Sequence, residues 1–450
     1  MNSHNNSKGF TEHMGTTDLR VLLITRECLR SDSNEGNTLL NLFAGLPVRL
    51  SNIYCKPGLP DNEICSSYFQ LTDKMALRAF LKKEPMGKRV EPALAEQADA
   101  PKGEQENKRL YDLFRSHNWE ILYLAREILW QLAGVESEAL AEFVRQAAPD
   151  VIVAPMCYSR YVLAVQRFAI KTAGAPAVTY VYDDLYSLRQ FRISPFYWLN
   201  RFLLRAAIRK TIPFFSFAYT MTEQQAGEYK KYFGLPLKVL RKGAPINSHR
   251  TSGHKGVRLI YAGGIYYGRD RTLAKVAQAV RKLREQGNDV ELHIYTASPL
   301  KRKMTAQLND GVSSFVHPAV SAGELARHYA ESDIALHVES FKKKNALLTR
   351  LSFSTKIVDC LASGCAVLAI CPAINAGWQY LKDNNAALCV DHPATVKNTV
   401  RELVGDPELR WHYGEKAAEL LRKNHDERLV RLGLLEDLKA LAKTKQEESA

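Results

Sequence analysis

The sequence predicts an α/β protein: two doubly wound, largely parallel sheets, each in its own domain, facing one another across a cleft. Three observations predict it. Short apolar runs alternate with segments of helical periodicity along most of the chain, the pattern of βαβ units whose crossovers keep strands parallel. A polar, glycine-containing stretch, "INSHRTSGHKG" at 246–256, interrupts that alternation near the middle. The 450 residues, 46 % of them hydrophobic, suffice for two or three cores at about 150 residues per domain.

The first series opens at "LRVLLITREC" (19–28), an apolar strand, followed by the polar loop "RSDSNEGN" and the helical "TLLNLFAGL". "PDVIVAPM" (149–156) and "APAVTYVYDDLY" (175–186) are continuous apolar strands that run into loops, and "FFSFAYTMTEQQAGEYKKYFG" (214–234) is a strand and a helix closed by Gly234. "PLKVLRKGAP" (236–245) ends the half. The charged, Pro- and Gly-rich residues 82–109 are expected to form a mobile surface insert, and the polar residues 1–17 a disordered N-terminus without the apolar core of a signal peptide.

The second series starts after the linker at "VRLIYAGG", a strand ending in Gly263 and Gly264, and continues with the helix "RTLAKVAQAVRKLREQG", which Gly287 is expected to cap. Strands "VELHIYTA", "VSSFVHPAV", "IALHVES" and "CAVLAICP" alternate with helices "SAGELARHYAESD" and "STKIVDCLASG"; "WQYLKDNNAALCV" holds a last strand, and 394–445 reads as mostly helix. The domains are therefore expected at 18–245 and 257–425, with 426–450 a terminal helix and tail.

Composition narrows the function. The net charge of +14 calls for an anionic partner, and residues 185–245 carry eleven Lys/Arg against two Glu. Arg201, Arg205 and Arg209 recur every four residues beside Phe, Trp and Leu, which fits either an interfacial helix on an anionic membrane across 185–217 or a buried helix with a solvated basic face. The eight cysteines show no CxxC or zinc spacing, so a reducing, cytoplasmic setting and no metal are expected. No run of about 18 apolar residues is present, no strand leads into G-x-G-x-x-G as a dehydrogenase requires, and the basic region carries no nucleic-acid-binding motif.

The stretch with most chemistry is "SFSTKIVDCLASG" (352–364). Ser354 is placed to cap a helix whose first amides, with Thr355, attract a phosphate. Lys356 adds a charge, and Asp359 shares its helix face. The cation suits a diphosphate and the acid suits ribose hydroxyls; a capped helix with a surface ion pair reads equally from these residues alone. Glu339 follows a strand at its carboxyl end, where ligand crevices form. Lys342, Lys343 and Lys344 form a loop cluster. Gly263 and Gly264 permit close backbone approach, and Arg269 and Arg271 are within reach of a phosphate. In the first half, Gly36 and Asn37 of "NEGN" and the strand-end pair Asp183 and Asp184 are the candidates; capping of the strand end explains the two aspartates equally well.

Together "LIYAGGIYYGRDRTLAKVAQAV", "ELHIYT", "LARHYAESDIALHVES" and "STKIVDCLASGCAVLAI" resemble the C-terminal half of the retaining, nucleotide-sugar-dependent GT-B glycosyltransferases, in particular the family-4-like members acting on bacterial surface polysaccharides. The resemblance covers 257–425 and more loosely 19–245. It departs from the family pattern in having Asp359 in place of the second glutamate, Ala366 in place of a proline, and a longer insert after Glu339. The resemblance implies a Rossmann-like acceptor domain, a Rossmann-like donor domain, and a terminal helix crossing back to the first. It implies sugar transfer without a metal or other cofactor, from a UDP- or GDP-sugar to a glycan or lipid-linked acceptor at the inner face of a membrane. Glu339, Lys356 and Arg269 would be catalytic. Gly263, Gly264, Ser354, Thr355 and Asp359 would hold the donor, and Gly36, Asn37, Asp183 and Asp184 would face the acceptor. An epimerase of the same architecture, or a sugar-nucleotide-binding protein without activity, is the alternative; product analysis with and without an acceptor separates them.

Overall fold

The computed structural model describes residues 19–30, 33–92, 120–245 and 255–449. The sequence readings of residues 1–17, most of the 82–109 insert and most of the 246–256 linker lie outside them.

Two sheets carry the fold. The first has the order β4-β3-β2-β1-β5-β6-β7-β8, with strands β1 (Leu19–Thr25), β2 (Val48–Tyr54), β3 (Cys65–Gln70), β4 (Lys88–Val90), β5 (Val151–Val153), β6 (Ala177–Val181), β7 (Phe217–Thr220) and β8 (Leu237–Val239). Its pairs are parallel except β3 with β4. The second is wholly parallel, in the order β11-β10-β9-β12-β13-β14, with β9 (Val257–Ala262), β10 (Val290–Tyr295), β11 (Ser314–His317), β12 (Ile334–Val338), β13 (Ala366–Ile370) and β14 (Leu388–Val390). The strands are buried on both faces because crossover helices cover both, which is why they read as continuous apolar runs. β5, β6, β12 and β13 are buried at every position.

Each sheet reverses its strand order once, between β1 and β5 in the first and between β9 and β12 in the second. The carboxyl ends of strands beside such a reversal open a crevice. The two crevices face each other.

The lobes are joined twice. The chain leaves the first sheet through Lys242–Pro245 and returns in the helix Glu427–Ser449, which packs on the helix Asn34–Phe43 and on β5. At the crossing, Ala244 pairs with Asp426, and His425 Nδ1 lies 3.0 Å from the Lys242 carbonyl. A Cβ on Gly243 would overlap the Glu427 backbone, so the crossing requires glycine there. A second contact comes from the segment after Glu339. Leu351 is fully buried in the core of the first lobe, and Arg350 makes a two-pronged ion pair with Glu228 at 2.6 and 2.8 Å.

Several local expectations change. Residues 88–90, inside the expected mobile insert, form an antiparallel edge strand on β3. Lys343 and Lys344 begin a short helix, Lys343–Leu348, whereas the helix Arg269–Glu285 ends as expected, with Gly287 at φ +88 just past Gln286. The arginine stripe of the helix Pro195–Thr211 turns toward the protein at Arg201 and Arg205, while Arg209 stays exposed. Arg201 is 4 % exposed and donates to the Ser187 and Asp184 carbonyls; Arg205 lies 4.0 Å over the Tyr186 ring, and Arg209 donates to the Tyr186 hydroxyl. Each guanidinium finds a partner on the 184–187 loop; the solvent face is apolar from Phe196 to Phe202, and Arg209 and Lys210 are exposed beyond it. All eight cysteines are free thiols.

Candidate functional site

A cleft of about 1240 Å³ lies between the lobes. Glu27, Ser33 and Asn37 line it from the loop and helix after β1; Gly263 and Gly264 line it after β9; Thr355, Lys356 and Asp359 form a third wall. Lys242 and Pro245 of the first crossing close one end.

The donor-side turn differs from the expected helix cap. The helix begins at Lys356 and is only seven residues long; Thr355 occupies the cap position with helical dihedrals, and no side chain caps it. The Ile357 and Val358 amides are taken by the Ser354 and Thr355 carbonyls at 3.0 and 3.1 Å, so Ser354 contributes backbone rather than its hydroxyl. The tight entry takes up those amides itself. Of this turn, Thr355, Lys356 and Asp359 line the cleft.

Lys356 dominates them. Its stem lies against Gly263, where any Cβ would overlap Cε and Nζ, and Nζ sits 5.6 Å from the Tyr261 ring centroid. Gly263 has φ +138, so it is needed twice, for its backbone and for the lysine's space. Burial, helped by nearby Arg269 and opposed by Glu339, pulls the Lys356 ammonium down to about 8. A partly desolvated cation on a cleft wall is held in a costly state that an anionic ligand relieves. Asp359 stands one turn further on, 38 % exposed, with Lys242 Nζ 3.4 Å from its Oδ1. That pair joins the two lobes across the cleft.

Glu339 and Arg269 are not cleft residues. Arg269 donates from Nε and Nη2 to the two Glu339 oxygens at 3.1 and 2.5 Å, and from Nη1 to the Gly264 carbonyl at 3.3 Å. The Glu339 side chain is 4 % exposed and that of Arg269 14 %. Expected to reach a phosphate and a sugar, the two satisfy each other beneath the Gly263–Gly264 turn. They fix the turn's position and set the field felt by Lys356. His337, on the same strand as the run into Glu339, is buried with Nε2 lacking a hydrogen-bond partner; burial, then Arg269 and Lys356, push it down to about 3.

The acceptor-side expectations divide. "NEGN" is the first turn of the helix Asn34–Phe43, capped by Ser33, whose Oγ accepts from the Gly36 amide at 3.0 Å. A Cβ on Gly36 would strike the Arg30 backbone and Ser33 Oγ, so this glycine serves close packing of its own loop, not a ligand. Asn37 does line the cleft. Asp183 and Asp184 do not; they sit at the contact between lobes. Asp184 is 2 % exposed and accepts from the Ser187 amide at 2.9 Å and from Gln190 Nε2 at 3.0 Å, with Arg350 3.6 Å away. Asp183 accepts from Ser352 Oγ at 2.6 Å, and burial raises it above the usual carboxylate range.

Two of the cleft residues that sequence reasoning passed over bring charge from the first lobe's side. Lys242 is one; its signal was the basic "LRKGAP" at the exit from β8. Glu27 is the other: Lys56 is paired with it, and its amide lies 3.4 Å from Glu35 Oε2. Burial and then the neighbouring Glu27 lift Glu35 to about 7. Nothing in "ITRECLR" distinguishes Glu27 from a solvated loop acid.

Residues 271–432 match a family model described as Glycosyl transferase-like. No curated protein matches the sequence. Among solved structures, S. aureus TarM, in complex with fondaparinux, α-GlcNAc-glycerol and UDP, is similar at 12 % identity and a TM-score of 0.50 over 68 % of this chain; the chain spans 58 % of TarM's length. Anabaena HepE, in complex with UDP and glucose, has a TM-score of 0.58 at 12 % identity, over 94 % of this chain and 100 % of its own. Sucrose-phosphate synthase from Thermosynechococcus elongatus reaches 0.62 at 12 % identity, over 94 % and 100 %. The fold is GT-B. The GT-B arrangement accounts for the facing crevices, and the family match places a glycosyl transferase-like domain on the lobe that holds Lys356 and Asp359.

Proposed function

We propose that the protein transfers a sugar from a nucleoside-diphosphate donor to an acceptor hydroxyl, in the building of a polysaccharide or glycoconjugate. The observation that carries this is the desolvated Lys356 ammonium packed on Gly263, beside Asp359, in the cleft of a glycosyl transferase-like domain. UDP is the favoured nucleotide, because TarM and HepE are each in complex with it.

The reaction breaks the bond between the anomeric carbon and the diphosphate and forms one from that carbon to the acceptor oxygen. The acceptor's proton leaves with the diphosphate or passes to a carboxylate. Negative charge grows on the leaving diphosphate, and a cation already fixed there stabilises it without reorganising. Lys356 supplies that charge, so a metal ion is not required in this reading. Asp359 accepts hydrogen bonds from the ribose, and the Gly263–Gly264 turn lets the diphosphate approach the backbone. Glu27, Asn37 and Lys242 face the acceptor. Retention of anomeric configuration is proposed on the family resemblance.

The test is transfer from UDP- and GDP-sugars to a panel of glycan and lipid-linked acceptors, with wild type and Lys356→Ala. The variant should lose about 10² or more in turnover while remaining folded. Equal turnover in the two proteins would remove Lys356 from the chemistry.

A further inference from the structure

We propose that one face of the first lobe docks the protein on an anionic lipid bilayer. Three helices build it: Asp73–Lys82, Glu120–Ala133 and Pro195–Thr211, with the loop 188–193. They lie side by side, the middle one packed on both others, and Asn200 Nδ2 donates to the Glu120 carbonyl at 2.9 Å.

The described residues include 22 exposed large hydrophobic side chains, and 13 of them fall here: three on the first helix, four on the second, three in the loop and three on the third. On the middle helix Ile121, Ile128 and Leu132 recur at i, i+7 and i+11, so its outward stripe is the apolar one. Phe196, Leu199 and Phe202 make the same stripe on the third helix, and Ile193 in the loop is 89 % exposed. A face this wide marks an interaction surface rather than scattered surface apolar residues.

The occupant follows from the charge at its edges. Lys74, Arg78, Lys82 and Lys83 are exposed on and after the first helix, and Arg189 and Lys210 at the other end. Of the nearby acids, Glu84 lies 3.9 Å from Arg78, and Asp73 is held by Arg126 and the Trp130 indole. Apolar helices lying flat, flanked by lysine and arginine, match a bilayer interface bearing anionic headgroups. Of the expected stripe, Arg201 is buried and Arg205 half-buried against the 184–187 loop, and Arg209 is exposed beside Lys210. The proposal stands on this surface alone and not on the reaction assigned above.

Flotation of the full chain with vesicles of phosphatidylcholine, and of phosphatidylcholine mixed with phosphatidylglycerol, tests it. Binding should require the anionic lipid and weaken with salt. Phe202→Ser and Leu132→Ser, both at exposed positions, should each lower the partition coefficient about ten-fold (roughly 1.4 kcal/mol) with an unchanged melting temperature. Lys82→Gln with Lys83→Gln should lower it further on anionic vesicles. No binding to anionic vesicles, or equal binding to neutral ones, overturns the proposal. So does a lipid-free dimer broken by Leu132→Ser, which assigns the face to a second copy. Binding seen only after deletion of residues 93–119 overturns it too, by assigning the face to that segment.

Discussion

Replacing Lys356 with methionine should make the protein more stable and less active. The wild-type ammonium has been moved from its ordinary 10.5 to about 8, mainly by burial. At ~1.4 kcal/mol per pH unit, holding that charge in the fold costs about 3 kcal/mol at neutral pH. Methionine keeps the length of the chain without the charge. The pH dependence gives the sign. Below about 8 both folded and unfolded wild type carry the proton and the full cost is present. Between about 8 and 10.5 the unfolded chain binds more protons than the folded one, so wild-type stability rises relative to the variant. Paired thermal unfolding at a series of pH values should show Lys356→Met several degrees more stable at pH 7 (about 2–4 °C per kcal/mol for a lobe of this size). The gap should close as pH approaches 10.5. A variant less stable than wild type at pH 7, or a gap that ignores pH, would refute a lysine held in a costly charged state.

Other consequences can be measured separately. Gly263→Ala adds a Cβ where Lys356 lies, at a φ of +138, and should both destabilise the second lobe and weaken UDP binding at least ten-fold; a neutral outcome would mean the lysine is not packed there. Arg350→Ala leaves Glu228 and Asp184 facing each other at the contact between lobes, and should cost about 3–5 kcal/mol or split the calorimetric transition; an unchanged single transition would show that the contact does not couple the lobes. His337 and His425 are buried and pushed down to about 3 and about 4, chiefly by burial. Below about 6.5 the unfolded chain therefore takes up protons that the folded one refuses, and stability should fall between pH 6.5 and 4. Denaturation midpoints flat across that range would contradict their burial as neutral rings.

What was legible followed from local chemistry. The alternation of apolar strands and periodic helices marks both sheets, because a strand covered on two faces must be apolar throughout. β2 was harder to read: Ser51 and Asn52 interrupt "VRLSNIY", and only the fold shows that Asn52 Nδ2 donates to Leu23 O and Thr25 Oγ1. β4 sits at a sheet edge, where charged residues are normal, and so hides in a charged segment. At the site, Gly263 was legible because it directly follows a strand, Lys356 and Asp359 because they share one face of a helix, and Asn37 because it lies in the polar stretch after β1. The fate of Glu339 was not, because its partner Arg269 lies 70 residues earlier. Nor was the inward turn of Arg201 and Arg205, since periodicity reports that a helix has two faces and not which one is covered. Gly36 read as a ligand-facing glycine, yet its neighbour is its own loop.

The most direct test is calorimetric titration of UDP and GDP into wild type and Lys356→Met, below and above pH 8. A cleft that grips a diphosphate through this lysine predicts one-to-one binding of one nucleotide. That binding should weaken at least ten-fold in the variant and decline in wild type as pH rises through about 8. Binding of neither nucleotide, or equal affinity in both proteins at every pH, would contradict it.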